Sequence, residues 1–481
     1  MPQFGFRKYV AISVLALWGL LAAGCLVGPN YRAPRVNVPG KWAGLSADST
    51  SNRSIATADS AELSEWWKSF HDPELDSLIS QALQSNLGLR QAQQRILQAR
   101  EARVIAGSGF WPTAGSTGTI SSSGSSGSSL AGTGTRNLFQ AGLDASWELD
   151  FFGGTRRGME AADANTQSAI EDSRDVIVTL TSEVALNYTQ MRGFQQQLAI
   201  AEKNLDLQRK TAEITRKRFE VGFASGLDVS NANAQVATTQ SLIPQLEAAT
   251  QQTIYAISVL LGREPAALLA ELTPKGEIPN SPPVVPVGLP SDLLQRRPDI
   301  RRAEAELHKA TAEIGVATAE LYPKFSLTGS AGAQSLTAGS LGTLASSFWS
   351  FGPGVSFPIF NAGKLRANVR FQTAAQQETF LGYQQTILNA LKDVETALIA
   401  YTKDQQHRAA VAESVKDDQR AVDLSTQAYT AGQVDFLNVL TAQRNLYSSE
   451  DSLVQSDRTI TSDLIALYKA LGGGWSPNKQ Y

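Results

Sequence analysis

The sequence predicts an α+β membrane protein that is internally duplicated, with transmembrane-type β-strands and long coiled-coil helices in each half. Three observations support this fold class: similar residues recur at a nearly constant separation, helical stretches carry a seven-residue repeat, and other segments alternate between apolar and polar residues. The chain has 481 residues, which is long enough for several domains or for one large architecture.

The duplication is visible in pairs of similar residues. Leu89-Arg90-Gln91-Ala92 resembles Ile300-Arg301-Arg302-Ala303, an offset of 211 residues, and later pairs keep an offset of 210. An offset that stays nearly constant over more than a hundred residues indicates two similar halves. A proline-rich stretch, 274–290, is the predicted linker between them. Pairs of this kind include Ala99 with Ala310, Pro112 with Pro323, Gly222 with Gly432, Leu227 with Leu437, and Ala232 with Ala442.

Each half is expected to contain three helical stretches. The longest span about 67 residues, a rod of roughly 100 Å at the rise of an α-helix. Both long stretches carry residues spaced alternately by three and four positions, which is typical of coiled-coil packing. The predicted stretches are Glu74–Ala106, Thr155–Val221 and Leu227–Leu261 in the first half, and Pro298–Leu321, Lys364–Ala431 and Phe436–Leu471 in the second; the repeat runs through Leu198, Ala201, Leu205, Gln208, Ala212, Thr215 and Phe219, and through Val411, Val415, Asp418, Val422, Ser425 and Tyr429.

The segments between the first two helices of each half read as strands. Phe139–Leu149 and 325–331 alternate apolar with polar residues, and 348–360 is flanked by aromatic residues. This is the pattern of transmembrane β-strands, whereas Ser121–Gly134 is expected to be an external loop. Two strands per half give four per chain. Four strands cannot close a barrel, and open edges are excluded in lipid, so the chain must oligomerise, and three copies would supply 12 strands.

The N-terminus is predicted to be a signal peptide, residues 1–24. Two basic residues precede an apolar run from Tyr9 to Ala23, which is short for a membrane-spanning helix. The alternative is a buried helix followed by an incidental cysteine. Leu21 to Cys25 resembles a bacterial lipobox, although Ala22 stands where that pattern usually has leucine. The expected modification is diacylglycerol and an N-acyl chain on Cys25, and the absence of an aspartate after it favours the outer membrane.

The composition argues against several other classes. The chain has 42 Lys and Arg against 45 Asp and Glu, so no nucleic-acid partner is expected. Three histidines lie far apart and one cysteine cannot form an intrachain disulfide. The motifs of serine hydrolases, zinc proteases and P-loop enzymes are missing, which argues against an enzyme. A periplasmic coiled-coil lipoprotein without a barrel would explain the signal and the helices but not the alternating strands.

A series of short motifs, in order along the whole chain, carries a family resemblance. The chain resembles the outer membrane factors of tripartite efflux systems, the TolC/OprM-like family, and within it the NodT-type lipoproteins. The motifs are Cys25-Leu-Val-Gly-Pro-Asn-Tyr31, Trp66-Trp67-Lys-Ser-Phe70, Arg296-Arg297-Pro298-Asp299-Ile300, Tyr322-Pro323-Lys324, Pro358-Ile359-Phe360-Asn361-Ala362-Gly363-Lys364, Tyr429-Thr-Ala-Gly432 and Leu471-Gly-Gly-Gly-Trp475.

The resemblance implies a homotrimer in the outer membrane. One 12-stranded barrel, with four strands per chain, would be continuous with a coiled-coil tunnel across the periplasm. The implied partners are a periplasmic adaptor protein and an inner-membrane transporter of the resistance-nodulation-division class, and the channel would pass drugs or other small molecules without cofactor or catalysis. The implied domains are 25–73, a lipidated segment with an equatorial contribution, the repeats 74–273 and 291–472 around the linker, and a C-terminal tail, 473–481.

The resemblance also places the periplasmic gate at the two breaks after the long helices. Asp228 and Asp435 would form a ring of carboxylates at the three-fold axis, which would favour cations; for Asp228 the alternative is a helix cap. Asn438 and Thr441 stand where some relatives carry acidic gate residues. The predicted aperture residues are therefore Asp228, Tyr429, Asp435, Leu437, Asn438, Thr441 and Arg444, and the predicted hairpin turns contain Gly222, Gly226 and Gly432.

Overall fold

The computed structural model describes residues 25–44, 55–57, 63–125, 134–282 and 284–476. The predicted signal peptide and the end of the C-terminal tail lie outside these ranges. The chain divides into two compact units, each formed by three stretches of sequence. The first unit contains Met1–Arg35, Arg95–Ile170 and Arg302–Gln384, and the second contains Val36–Gln94, Glu171–Arg301 and Gln385–Tyr481.

Long helices dominate the described chain, and they occur in pairs of equal length. The two longest, α3 and α8, each have 67 residues, the helices that follow them each have 35, and α2 and α7 each have 22. These lengths agree with the offsets of 210 and 211 residues. The helices are α1 Pro73–Ser85, α2 Leu87–Ser108, α3 Gly154–Glu220, α4 Gly226–Leu260, α5 Leu269–Leu272, α6 Leu293–Arg296, α7 Pro298–Ala319, α8 Lys364–Thr430 and α9 Phe436–Ala470, and the strands are β1 Ile55–Thr57, β2 Thr113–Ser125, β3 Gly134–Leu149, β4 Val284–Pro286, β5 Lys324–Ser335 and β6 Ser347–Ser356.

The prediction of one continuous helix over 74–106 is wrong, because α1 and α2 are separated at Asn86. The Asn86 side chain accepts a hydrogen bond from the backbone N–H of Leu89 at 2.9 Å and donates one to the carbonyl of Leu260 at 2.8 Å. A short amide side chain that satisfies nearby backbone groups competes with the helical hydrogen-bond ladder. The first helix therefore ends here, and a second begins.

The first unit contains an antiparallel sheet with the strand order β2-β3-β5-β6. It supplies the four strands that the alternation predicted. The expected loop over 121–134 was too long, since β2 continues to Ser125 and β3 begins at Gly134, and residues 126–133 lie outside the described ranges. The expected strand over 348–360 was also too long, because β6 ends at Ser356. Pro358 lacks the N–H that a ladder needs.

The register confirms that alternate residues share one face of this sheet. Leu143 of β3 lies between Ser116 of β2 and Ala331 of β5, and Ala331 pairs with Trp349 of β6. Leu143 is 68% exposed and Trp349 is 81% exposed, so this face carries apolar side chains that the described chain leaves uncovered. The other face carries Asp144, Ser330 and Ser350 in one row, with Thr117 donating to Asp144 at 2.6 Å.

The second unit has an apolar core built from helices and from the linker. Strand β1 pairs in parallel with β4, which lies inside the predicted linker. Trp66 stacks on Tyr468 at 5.1 Å between ring centroids, and both rings are buried. The indole of Trp42 donates to the carbonyl of Gly288 at 3.0 Å, which attaches the N-terminal segment to the linker.

The predicted heptad positions mostly face inward. Ala201, Leu205, Gln208 and Thr215 are buried, whereas Phe219, the last position of the series, is 48% exposed. No single helix in the described part of the chain is both long and apolar enough to cross a membrane, and the one pair that passes that test together, Gly226–Leu260 with Pro265–Leu272, is bent by 110°.

Candidate functional site at the helical hairpin tips

Two helical hairpins, α3 with α4 and α8 with α9, end in turns of similar geometry. Gly222 and Gly432 have φ values of +80° and +75°, and Phe223 donates its N–H to the carbonyl of Arg218 at 2.7 Å. Gln433 makes the corresponding bond in the second hairpin at 2.8 Å. This is the glycine-dependent termination of an α-helix. Gly222 and Gly432 thus lie in the turns as predicted.

The start of α4 is fixed by a capping box. Gly226, predicted as a turn residue, is instead the first residue of α4, and Ser225 is its N-cap. The Asp228 carboxylate accepts from the backbone N–H of Ser225 at 2.9 Å, while the Ser225 hydroxyl accepts from the Asp228 N–H at 3.1 Å. This reciprocal pair satisfies two N–H groups that a helix start leaves without partners. Asp228 therefore helps to cap the start of α4, which was the alternative interpretation of this residue.

The second tip is built differently at the same positions. Asp435 is the N-cap of α9, but its side chain makes no capping hydrogen bond. Asn438, which corresponds to Asp228 at the offset of 210, is exposed and its amide approaches the carbonyl of Asp435 at 3.5 Å. The Asn438 amide donates in this contact, and its side-chain oxygen does not accept from the Asp435 N–H, so no capping box forms at this tip. The second hairpin therefore begins with a less constrained turn than the first.

Arg218 joins the two hairpins near their tips. Its Nη1 donates to the carbonyl of Tyr429 at 2.6 Å, and its guanidinium carbon lies 4.6 Å from the centroid of the Tyr429 ring. A cation over an aromatic face is attracted by the ring quadrupole, so the side chain contacts Tyr429 in two ways. A cleft of about 820 Å³ lies beside this contact, and its lining includes Asp228, Asp435 and Asn438. The structure thus brings these three predicted aperture residues to one place.

A small apolar cluster packs around Tyr429, the residue that Arg218 contacts. Tyr429 is 4% exposed, its ring meets Phe436 edge to face at 5.8 Å, and its hydroxyl donates to the Oγ1 of Thr215 at 3.3 Å. Ala232 and Val439 complete the buried group together with Leu440. The residues of this cluster come from α4, from the end of α8 and from α9, so the cluster couples both hairpins.

The remaining aperture candidates occupy other faces of α9. Arg444 donates from Nε to the side-chain oxygen of Gln235 on α4 at 2.7 Å, a second tie between the hairpins. The Thr441 hydroxyl donates to the carbonyl of Leu437 at 2.8 Å and is exposed. Leu437 is 63% exposed, and its counterpart Leu227 in the first hairpin is 69% exposed. Both tips therefore present a leucine that the described chain leaves uncovered.

A polar clip lies further from the tips. Glu450 of α9 is 9% exposed and accepts hydrogen bonds from Lys203 at 2.8 Å and from Asn204 at 2.7 Å, both on α3. A buried carboxylate is stable only when it is paired and hydrogen-bonded. These bonds hold α3 against α9.

Sequence reasoning missed several residues of this site. Ser225 followed three positions later by Asp228 is a capping-box signature and could have been found. Arg218 and Gln235 carry no such signal, because their importance depends on the partner hairpin more than two hundred residues away. Among the described residues, no group of histidine, cysteine and carboxylate side chains could hold a metal ion.

Cys25, the predicted lipidation site, is exposed in the first unit. Two residues further on, Val27 donates its N–H to the carbonyl of Phe152 at 3.2 Å. Phe152 lies in the short connection between β3 and α3. This hydrogen bond places the cysteine close to the connection in which β3 ends and α3 begins.

Comparison with known proteins identifies the family. The model of the outer membrane efflux protein family matches residues 78–263 and 289–473, which correspond closely to the two halves. The chain is 32% identical to nodulation protein T of Rhizobium leguminosarum bv. trifolii, covering 96% of this chain and 97% of that protein. It is 33% identical to the pyoverdine export outer membrane protein OpmQ of Pseudomonas aeruginosa, with 96% of each chain covered.

A solved structure agrees with these sequence matches. The outer-membrane channel OprN superposes with a TM-score of 0.87 at 33% identity, covering 94% of this chain and all of that one. The resemblance drawn from short motifs, and with it the outer-membrane location, is thereby confirmed. The chain belongs to the outer membrane efflux protein family, a family of channel proteins.

Proposed function

We propose that this chain forms a homotrimeric exit duct in the outer membrane, in which three four-stranded sheets close into one 12-stranded barrel. The observation that carries the proposal is the sheet itself. It has one exposed apolar face, and within the described residues its outer strands, β2 and β6, each pair with a single neighbour. Unpaired edges are not stable in lipid, and pairing β6 with β2 of the next chain would remove them all.

A second uncovered surface supports assembly through the helices. Between residues 371 and 399 of α8, four large apolar residues are more than half exposed, and their spacing of seven to eleven residues keeps them near one side of the helix. Contact between neighbouring chains would bury this side. The residues are Phe371, Leu381, Leu388 and Ile399.

In this assembly the hairpin tips form the periplasmic gate. The Arg218–Tyr429 contact and the Arg444–Gln235 bond tie the two hairpins of each chain, and the exposed Leu437 would face its symmetry mates at the aperture. Asp228 and Asp435 would add carboxylates to the same ring. A periplasmic adaptor and an inner-membrane transporter of the resistance-nodulation-division class would deliver the substrate and the energy, while the duct itself passes small molecules passively.

Cys25 carries the diacylglycerol and N-acyl chain in this proposal, after residues 1–24 are removed. Lipid on Cys25 would enter the membrane at the base of the sheet, since Val27 is bonded to the connection between β3 and α3. The alternative, a periplasmic coiled-coil lipoprotein, does not explain a four-stranded sheet with an exposed apolar face.

Single-channel recording tests the gate. Replacing Leu437 by alanine together with Arg444 by serine removes an apolar plug and one tie between hairpins, so the conductance of the purified trimer in planar bilayers should rise. Arg209, an exposed residue of α3 further from the tips, offers the control substitution Arg209→Ser. Unchanged conductance in a trimer that shows heat-modifiable mobility on gels would remove the gate assignment, and a monomer in outer-membrane extracts would remove the barrel.

A further inference from the structure

The segment that follows Cys25 is not a free tether, because it occupies a shaped slot in the first unit. Residues 26–31, named here the N-terminal clasp, lie against the start of α3 and against α7. Gly28 has a φ of +84°, and a Cβ added to it would come within 2.5 Å of the Cα of Gly315 on α7. The two backbones are therefore in direct contact, which only glycine allows at position 28, and a Cβ added to Gly315 would come within 2.7 Å of the Arg157 side chain.

Arg157 forms the floor of this slot. It is 1% exposed, and its guanidinium donates to the carbonyl of Val27 at 3.1 Å, the carbonyl of Gly28 at 3.3 Å and the side-chain oxygen of Asn30 at 2.7 Å. The remaining side is paired with Glu160 at 2.7 Å. A buried guanidinium is costly unless its donors are satisfied, and here the N-terminal clasp supplies three of the acceptors.

The far end of the N-terminal clasp is held by a stacked pair. The ring of Tyr31 lies parallel to that of His308 at 4.3 Å, and its hydroxyl donates to Glu304 at 3.1 Å. His308 in turn contacts Glu160 at 3.0 Å. Glu160 thus contacts both Arg157, which binds the first part of the segment, and His308, which stacks on Tyr31 at its end.

We infer that this slot is a binding site for the chain's own processed N-terminus, with Arg157 as its positioning residue, and that it fixes where the acyl chains on Cys25 enter the membrane. The described contacts are made by residues 26–31 and not by the cysteine, so the slot holds the segment through protein contacts in addition to the lipid. Beside it, Phe152 stacks on Tyr322 at 4.5 Å, which gives the entry point an aromatic border. The role in placing the acyl chains rests on the proposed lipidation of Cys25, whereas the contacts that hold the segment in the slot do not.

Tryptic cleavage after Arg32 measures whether the N-terminal clasp is seated. Arg32 is exposed, but a protease must draw several residues on each side of the scissile bond into its cleft, so residues 27–31 must leave the slot first. When opening is fast, the cleavage rate follows the population of the open form. Arg157→Gln and Gly28→Ala should each raise the initial rate of cleavage in the purified full-length trimer about tenfold, because each removes buried contacts of the segment.

Matched controls come from the same regions. Arg103→Gln removes an exposed ion pair with Asp163 that does not involve the segment, and Gly40→Ala adds a methyl group where nothing lies within 4 Å. Neither should change the rate. If Arg157→Gln fails to assemble, Gly28→Ala decides alone. Wild-type rates in both slot variants would overturn the inference.

The mass of the released fragment 25–32 reports the acyl state in the same experiment. An unmodified fragment, combined with faster cleavage in the slot variants, would overturn the proposed lipidation and leave the slot standing. An acylated fragment with unchanged rates would overturn the slot and leave the lipidation standing.

Discussion

The contact of Arg218 with Tyr429 predicts how strongly one side chain would hold the proposed aperture closed. Arg218→Gln removes the charged donor to the Tyr429 carbonyl at 2.6 Å and the cation above the ring at 4.6 Å. A hydrogen bond from a charged group contributes about 1.5–3 kcal/mol, and an exposed cation–π contact about 0.5–1 kcal/mol. Because glutamine can still donate weakly and Arg218 is only half-buried, a loss of about 2 kcal/mol per chain is expected.

Three chains opening together multiply this effect. In the proposed trimer the closed aperture would lose about 6 kcal/mol, which shifts a two-state equilibrium by about 10⁴ in favour of the open form. The ratio of open to closed time in planar bilayers should therefore rise steeply in Arg218→Gln. If each hairpin pair opens independently, the shift falls to about thirtyfold and intermediate current levels appear.

Arg216→Gln is the matched control for this substitution. Arg216 lies two residues earlier on the same helix, its side chain is 75% exposed, and its contact with Glu220 at 3.8 Å is a weak surface pair. Surface pairs contribute little to stability, so this variant should gate like the wild type. An open-to-closed ratio that is the same in Arg218→Gln, in the control and in the wild type, with all three trimers intact, would refute the reasoning.

Two further predictions concern stability. Gly432→Ala places a side chain at a φ of +75°, which costs about 1 kcal/mol, so this variant should lower the temperature at which the trimer unfolds in detergent. Gly226→Ala, in the first turn of α4, is the control and should not lower that temperature. Equal unfolding temperatures for the two variants would contradict the role given to the turn. Burial, followed by a hydrogen bond with Asp404, raises the pKa of Asp463 from its ordinary value to about 7. The folded chain therefore binds this proton more tightly than the unfolded chain, so the stability it contributes is present at acid pH and is lost as the pH rises from about 4 to about 7. Asp463→Asn should remove that loss and melt higher than the wild type at pH 8, with a smaller difference at pH 5; a difference independent of pH would show that the carboxyl pair does not titrate in this range.

The domain boundaries proposed from the sequence and the compact units of the structure describe different properties of the chain. The repeats 74–273 and 291–472 follow the similarity of the two halves, whereas each compact unit collects residues from both halves. Long helices explain this difference, since α3 and α8 each contribute residues to both units.

The sequence by itself determined the features that depend on local periodicity and on nearby residues. The spacing of apolar residues predicted the long helices to within one residue at their ends, and the alternation in 139–149 predicted which side chains share a face of the sheet. Glycine at 222 and 432 marked the hairpin turns, because a positive φ strongly favours that residue.

Only the tertiary structure decided which distant residues meet. The partners of Arg218, Arg444 and Glu450 lie more than two hundred residues away in sequence, and the slot beneath Gly28 exists because α3 and α7 come together there. Periodicity reports which side of a helix or strand is buried but not what covers it. The contacts at the tips and at the N-terminal clasp follow from the packing of the two halves on each other, which local sequence does not encode.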